Sequence, residues 1–291
     1  MKLLILGKIN RGYEEIKLIE EGKKIFDSVN YIPTPYIYIE TNDNDLLVKY
    51  KDKDLSDFDC ILPRIPRSYR TFGFTVLSLL KEKSYVPFDP MALFNCHNKF
   101  MTLLALNEDL LPIPDTFLTI KRKAAEDILD KIRYPIVMKL LYGSLGKGVM
   151  FSDSKHSAVS LMDTLERFKE PIFIEEFIKN KGEDIRAYVI GEEVFASMKR
   201  KAKKDEKRAN IGIGGEGIKY DIGDKYANLA VRSVIALKMD ICGVDLIEGP
   251  KGPVVIEANA NAQFKELERV TKKNIARKIV EYVKERGSSN F

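Results

Sequence analysis

The segment GVDLIEGPKGPVVIEANAN, residues 243–261, constrains this chain most. Two apolar runs, 242–248 and 253–259, flank a Gly- and Pro-rich connection, EGPKGP. Such a connection reads as a turn between two strands, and a short turn makes its strands antiparallel neighbours. Residues two apart on a strand share a face, so Glu257 and Asn259 leave the core side by side. The facing strand brings Asp245 near Glu257. Three hard oxygen ligands, with room left for water and phosphate, suit Mg²⁺. The plain alternative is polar strand ends facing water. The apolar flanks weaken it, because both strands read as buried.

A chain of 291 residues can hold two or three lobes with substantial cores. Its 45% hydrophobic and 31% charged residues are those of a folded globular protein. The net charge of +5 is mildly basic, which fits ordinary surface composition or an anionic ligand. Cys60, Cys96 and Cys242 form no metal or CxxC spacing, so reduced thiols in a cytoplasmic protein are expected. With only His97 and His156, a His-centred triad or His-rich metal site is disfavoured. No apolar run approaches the ~18 residues of a membrane span, and the N-terminus is too short an apolar run for a signal peptide.

Periodicity places a strand at 2–7, a helix at 14–25, a strand at 58–65 and a helix at 72–83. This is a small α/β lobe with a parallel sheet, closed by a seam at VPFDP, 86–90. An amphipathic helix over 91–107 follows, then a Pro-containing linker at 110–117. A helix (123–132), a strand (135–141), a glycine loop (143–148), a strand (149–153), a helix (155–168) and a strand (172–178) form a compact central lobe. A hairpin over 184–202 turns at Gly191-Glu192. A polar stretch, 203–217, precedes a helix (225–239), the two strands described first, and a last helix (271–286). The expected domains are 1–88, 89–178 and 179–291.

Several weaker signals accompany the hairpin. Gly143, Ser144, Gly146 and Gly148 lie in a loop between two strands, where backbone N–H groups can close over an anion. The loop is neither a Walker A nor a Rossmann fingerprint. It reads as a flap over phosphates or as an ordinary glycine hairpin. Lys139 sits on the strand feeding that loop. A buried lysine wants a partner, and a phosphate would serve. Lys99 on the preceding helix is a second candidate for phosphate, or a solvated lysine. The strand end Glu175-Glu176-Phe177-Ile178, followed by Asp184, could hold a purine edge and ribose hydroxyls, or be an interlobe linker. Arg186, Arg200 and Arg208, with Asn210 close by, offer guanidinium forks for carboxylate and phosphate. A solvated basic loop is the plain alternative.

The order of these signals is more specific than any one of them. From about Phe88 onward the chain resembles the ATP-grasp superfamily, and within it the RimK-type amino-acid ligases. PIVMKLLYGSLGKGV, EEFIKNKGEDIRAYVIGEEVFASMKRKAK, KRAN and CGVDLIEGPKGPVVIEANA carry the resemblance, and FDCILPRI is similar to the family's first-lobe strand. The resemblance implies an α/β, three-lobed ATP-grasp fold with ATP between the central and C-terminal lobes. It implies Lys99, Lys139 and the 143–148 loop on the phosphates, Glu175 to Ile178 on adenine, and Asp184 on ribose. Asp245, Glu257 and Asn259 would hold Mg²⁺ or Mn²⁺, two ions being usual. Arg200, Arg208 and Asn210 would stabilise an acyl phosphate or its tetrahedral successor. Catalysis would need no covalent nucleophile.

The chain departs from the family where substrate is expected. Many relatives continue the metal strand as Asn-Ala-Ser-Pro-Gly, where this chain has Asn259-Ala260-Asn261-Ala262-Gln263. Many carry His-Arg-Gly-Gly where it has Gly212-Ile213-Gly214-Gly215. RimK-type ligases commonly add glutamate to acidic tails, so L-glutamate and an anionic small-molecule acceptor are the implied partners. Relatives in methanogenic archaea cap the γ-glutamyl tail of coenzyme F-420 or tetrahydromethanopterin with an α-linked glutamate, and this chain's size and composition resemble theirs. A protein, carrier-protein or dipeptide ligase is the alternative, and a homo-oligomer is compatible with the sequence. An RNA-binding module would need aromatics interleaved with the basic stretch 199–208, which has none. A degenerate nucleotide binder is disfavoured by the intact Asp, Glu and Asn.

Overall fold

The computed structural model describes residues 1–43, 45–143, 148–180, 182–203 and 214–289. The first lobe opens with β1 (Lys2–Gly7), α1 (Tyr13–Gly22) and β2 (Ser28–Pro33). A meander follows: β3 (Tyr38–Asn42), β4 (Asp45–Tyr50) and β5 (Lys53–Asp54). Then come β6 (Cys60–Pro63) and α2 (Arg70–Leu80). β1 lies between β2 and β6, parallel to both, so the expected parallel α/β lobe is present. Its side chains alternate between two cores. Leu4 and Leu6 pack on one face, Leu3 and Ile5 on the other, and all four are fully buried. That explains why β1 reads as an unbroken apolar run. The antiparallel meander was not anticipated, although Tyr38, Ile39, Val48 and Tyr50 are strand-forming residues.

The central lobe begins with α3 (Ala92–His97) and α4 (Lys99–Glu108). One helix was expected over 91–107. Asn98 divides it by adopting an extended conformation and capping α4, its Oδ1 accepting from the Phe100 and Met101 N–H groups at 3.0 and 3.2 Å. Lys99 is therefore the first residue of a helix rather than one in its interior. β7 (Thr116–Thr119) begins inside what read as linker. α5 (Arg122–Leu129), β8 (Ile136–Lys139), β9 (Val149–Ser152), α6 (Lys155–Arg167) and β10 (Ile172–Glu176) complete the lobe. Its antiparallel sheet runs β7-β10-β8-β9. α5 and α6 cover one face through Leu129, Met162 and Leu165. α4 covers the other, with Phe100 set edge-on to Phe173 at 6.4 Å.

β11 (Glu183–Ile190), β12 (Glu193–Lys201), β13 (Glu216–Lys219), α7 (Gly223–Ala236), β14 (Ile241–Gly249) and β15 (Gly252–Asn259) form the third lobe. Its antiparallel sheet has the order β13-β12-β11-β14-β15. The β11–β12 turn falls at Gly191, as expected, where φ is +64°. Two helices follow, α8 (Lys265–Thr271) and α9 (Ile275–Ser289), where one was expected. Lys272, with φ +59°, ends the first. The third-lobe sheet packs α7 on one face and Phe264 and Leu267 on the other. α9 seats Ile279, Val280 and Val283 against the first-lobe strands. First and third lobes thus share two cores, one of which also takes Leu93 from α3 and Leu106 from α4, whereas the central sheet with α5 and α6 has its own. Among the described residues no helix is long and apolar enough to cross a membrane, and all three cysteines are free.

Candidate active site

The β14–β15 hairpin places its carboxylates in register, with Asp245 opposite Glu257 and Gly243 opposite Asn259. A bulge at Ile256 shifts the ladder between Asp245 and Leu246. An extra residue reverses the alternation. Val255 and Ala258 both stay fully buried against α7, while Ile256, Glu257 and Asn259 all line one cavity. The expected shared face of Glu257 and Asn259 is observed, and the bulge adds Ile256 to it.

Cross-strand pairing extends the charge row across the sheet. Asp245 on β14 faces Arg186 on β11, and Asp184 on β11 faces Arg200 on β12. Arg186 grips Asp245 with Nε and Nη2, the latter at 2.7 Å. Arg200 grips Asp184 with Nε at 2.5 Å and Nη2 at 2.8 Å, and Nη2 also lies 2.9 Å from Asp245. All four residues are buried, Asp245 to 1% exposure and Arg200 to 4%. Burial opposes charge on Asp245, but Arg186 and Arg200 outweigh it and hold its carboxyl below the usual range. Burial raises Asp184, since Arg200 compensates it only in part and Asp245 repels it. Burial also opposes the Arg200 charge, yet Asp245 and Asp184 together hold that guanidinium firmly protonated. The network therefore carries two cations and two carboxylates.

The other expected contacts are brought to the same region. Lys99 donates to Glu257 at 2.9 Å and to the Gly143 carbonyl at 3.3 Å, so the glycine loop's first residue, α4 and β15 meet at one ammonium. Lys139 pairs with Glu175 across β8 and β10. Its partner in this structure is thus a carboxylate expected at adenine. β10 ends at Glu176 rather than 178, and the Glu176 backbone and side chain both bond Asp115. Ile178 is buried, and Phe177 sets its ring edge-on to Phe151 at 6.0 Å. Asp184, expected at ribose, has both oxygens on Arg200. Gly148 adopts φ +78°. Ser144, Gly146, Arg208 and Asn210 lie outside the described residues.

A cavity of about 1070 Å³ opens beside this row, walled by all of Lys99, Arg186, Arg200, Glu257 and Asn259. The first lobe closes its far side with Lys8, Glu15, Arg64 and Arg67. These first-lobe residues were not anticipated as site residues. The available signal was Arg64 standing at the C-terminal end of a parallel strand, where α/β sheets place ligands. Arg186 was read as an anion binder, and its partner is Asp245.

The donor set suits a hard divalent cation. Glu257 and Asn259 reach the cavity, with Asp245 beside them. Among the described residues no group of three or more His, Cys, Asp and Glu could by itself hold a metal ion; a cation here would also need the carboxamide of Asn259. Its Nδ2 is buried without a hydrogen-bond partner. Turned over, the amide presents its oxygen at that position. Each carboxylate is already neutralised, by Lys99 or by the arginines, so the cation would exchange with these partners.

Comparison with known proteins places this geometry in a family. A RimK PreATP-grasp domain model matches residues 1–89, and a RimK-like ATP-grasp domain model matches residues 96–283. A probable alpha-L-glutamate ligase of Legionella pneumophila is 33% identical over 99% of this chain and 96% of its own length. One of Hydrogenovibrio crunogenus is 32% identical over 97% and 95%. Among solved structures, the ATP-grasp ligase PsnB complexed with minimal precursor has a TM-score of 0.76 at 17% identity, covering 98% of both chains. A RimK domain protein ATP-grasp from Sphaerobacter thermophilus has 0.71 at 18%, covering 97% and 99%. At such identities these two establish the fold. With both domain models matched in order and full-length relatives above 30% identity, the chain belongs to the RimK-like ATP-grasp family.

Proposed function

We propose that this chain is an ATP-dependent α-L-glutamate ligase that joins glutamate to the carboxylate of an anionic acceptor. The observation that carries the reading is the in-register Asp245–Glu257 pair with Asn259, set on a cavity that Lys99 also enters. The names of the full-length relatives support glutamate as the amine.

In this reading Lys99, Lys139 and the 143–148 segment hold the ATP phosphates, with Ser144, Gly146 and Gly148 in the flap. Glu175, Glu176, Phe177 and Ile178 hold adenine. Glu257, Asn259 and Asp245 would hold Mg²⁺ or Mn²⁺, two ions in this reading, which would neutralise phosphate charge during transfer. An acceptor carboxylate oxygen attacks the γ-phosphorus and ADP leaves. The amine nitrogen then attacks the acyl carbon. The C–N bond forms, the bond from carbon to phosphate oxygen breaks, phosphate departs with that electron pair, and the amine gives up a proton. Lys99 and Arg200 offset the charge that moves along this path, with Arg208 and Asn210 assisting. Asp184 positions Arg200. Closure of the flap excludes water from the acyl phosphate.

For the acceptor, the reading is a glutamyl tail on a cofactor, the γ-glutamyl tail of coenzyme F-420 first and tetrahydromethanopterin second. It rests on the sequence resemblance and on the basic residues around the cavity. A peptide or protein acceptor is the alternative. The test is incubation with ATP, Mg²⁺, L-glutamate and both cofactor acceptors, alongside acidic peptides. Acceptor-dependent ADP release with a glutamyl mass increment on a cofactor supports the reading. An increment on peptide alone replaces the acceptor, and ADP release with no glutamyl product removes the ligase.

A further inference from the structure

Among the described residues, four buried side-chain nitrogen or oxygen atoms have no hydrogen-bond partner: Arg64 Nε, His97 Nδ1, Asn259 Nδ2 and Asn261 Oδ1. All four belong to residues lining the one cavity described above. Buried polar atoms are satisfied almost everywhere in folded proteins, and each exception is costly. Their concentration in a single cavity marks a place where a polar ligand completes the bonding.

Two of the four are neighbours across the lobe seam. Arg64, 8% exposed, spends its terminal nitrogens on third-lobe carbonyls, Nη2 reaching Asn261 O at 3.3 Å and Nη1 reaching Ala262 O at 3.5 Å. Its Nε lies 3.8 Å from Glu15, which is an ion-pair distance and too long for a hydrogen bond. Asn261 donates Nδ2 to the Ile65 carbonyl at 2.7 Å. That bond fixes the amide orientation, leaving Oδ1 as the free end. The seam therefore offers a charged donor beside a neutral acceptor.

We propose that Arg64 and Asn261 form the subsite for the amine-bearing co-substrate, an α-amino acid whose carboxylate accepts from Arg64 Nε and whose amine donates to Asn261 Oδ1. The proposal deepens the ligase reading and rests on it. An acceptor that takes an amine N–H leaves the nitrogen lone pair available for attack. Asn261 lies two residues beyond Asn259, so the amine is held next to the end of the row where the activated acyl group is expected.

The test is calorimetric titration of the full chain, loaded with AMP-PNP and Mg²⁺, with L-glutamate, glutarate (no amine) and 4-aminobutyrate (no α-carboxylate). The expected result is that L-glutamate binds at least about tenfold more tightly than either analogue. Asn261→Ala should lower glutamate affinity about tenfold and leave glutarate unchanged. Arg64→Gln should weaken glutamate and glutarate but not 4-aminobutyrate. Both variants should keep wild-type AMP-PNP affinity. Thermal melts establish that each variant is folded, and Asn261→Ala carries the test if Arg64→Gln is not. Wild-type glutamate affinity in folded Asn261→Ala overturns the proposal, as does equal binding of the three probes. AMP-PNP binding without any probe binding overturns the subsite while leaving the ligase reading intact. Failure to bind AMP-PNP removes the ligase reading and the subsite together.

Discussion

Lys99, the first residue of α4, donates to Glu257 on the bulged end of β15 at 2.9 Å. The pair joins the residue assigned to phosphate with the residue assigned to metal. Both side chains are partly exposed, so the pair contributes only about 0–1 kcal/mol to stability. Glu257→Ala is accordingly expected to abolish acceptor-dependent ADP release while leaving the thermal midpoint close to wild type. Normal turnover in that variant would remove the metal assignment.

Arg200 behaves differently because it is buried. Removing it leaves Asp184 and Asp245 in a low-dielectric site with Arg186 as the remaining guanidinium partner among the described residues. Breaking such a pair costs about 3–5 kcal/mol. Urea unfolding of Arg200→Ala should show a loss of that size, with Arg200→Lys intermediate. Under conditions where the variant stays folded, ligation should fall more than nucleotide affinity. Equal loss of both would assign Arg200 to nucleotide binding alone.

His97 gives a pH dependence. Burial lowers its pKa to about 4, and Arg67 and Arg70 push in the same direction. Between pH 4 and the ordinary value of 6.5 the unfolded chain binds a proton that the folded chain does not. Stability is therefore fully present above about 6.5 and is lost as pH falls toward 4, by on the order of 3 kcal/mol. His97→Gln should flatten unfolding free energy over this window relative to wild type. An unchanged slope would mean that His97 does not supply it.

The sequence was most legible where local pattern and tertiary structure agree. The Val254–Val255–Ile256 run, the EGPKGP turn and the Gly191 hairpin are short-range signals, and each produced the expected strand pair. The antiparallel meander over 38–54 was not anticipated; β4 buries Val48 and shows no regular alternation of buried and exposed residues. The division at Asn98 could have been read from its capping chemistry, but the apolar spacing continues through it. The residues singled out on the β14–β15 hairpin stand together, Asp245 opposite Glu257. Arg64 was missed as a partner because nothing in the chain's order brings residue 64 to residues 261 and 262. That contact exists only after α9 has packed the third lobe onto the first.

Nucleotide phosphates are expected to lie between the glycine loop and the bulged end of β15. A crystal structure of the chain with AMP-PNP and Mg²⁺ tests it directly. The expected result places the terminal phosphates within reach of Lys99 and Lys139, with the cation on Glu257 and Asn259 and the Lys99–Glu257 pair opened. Phosphates bound on any other surface, or a cation held without Glu257, would contradict it.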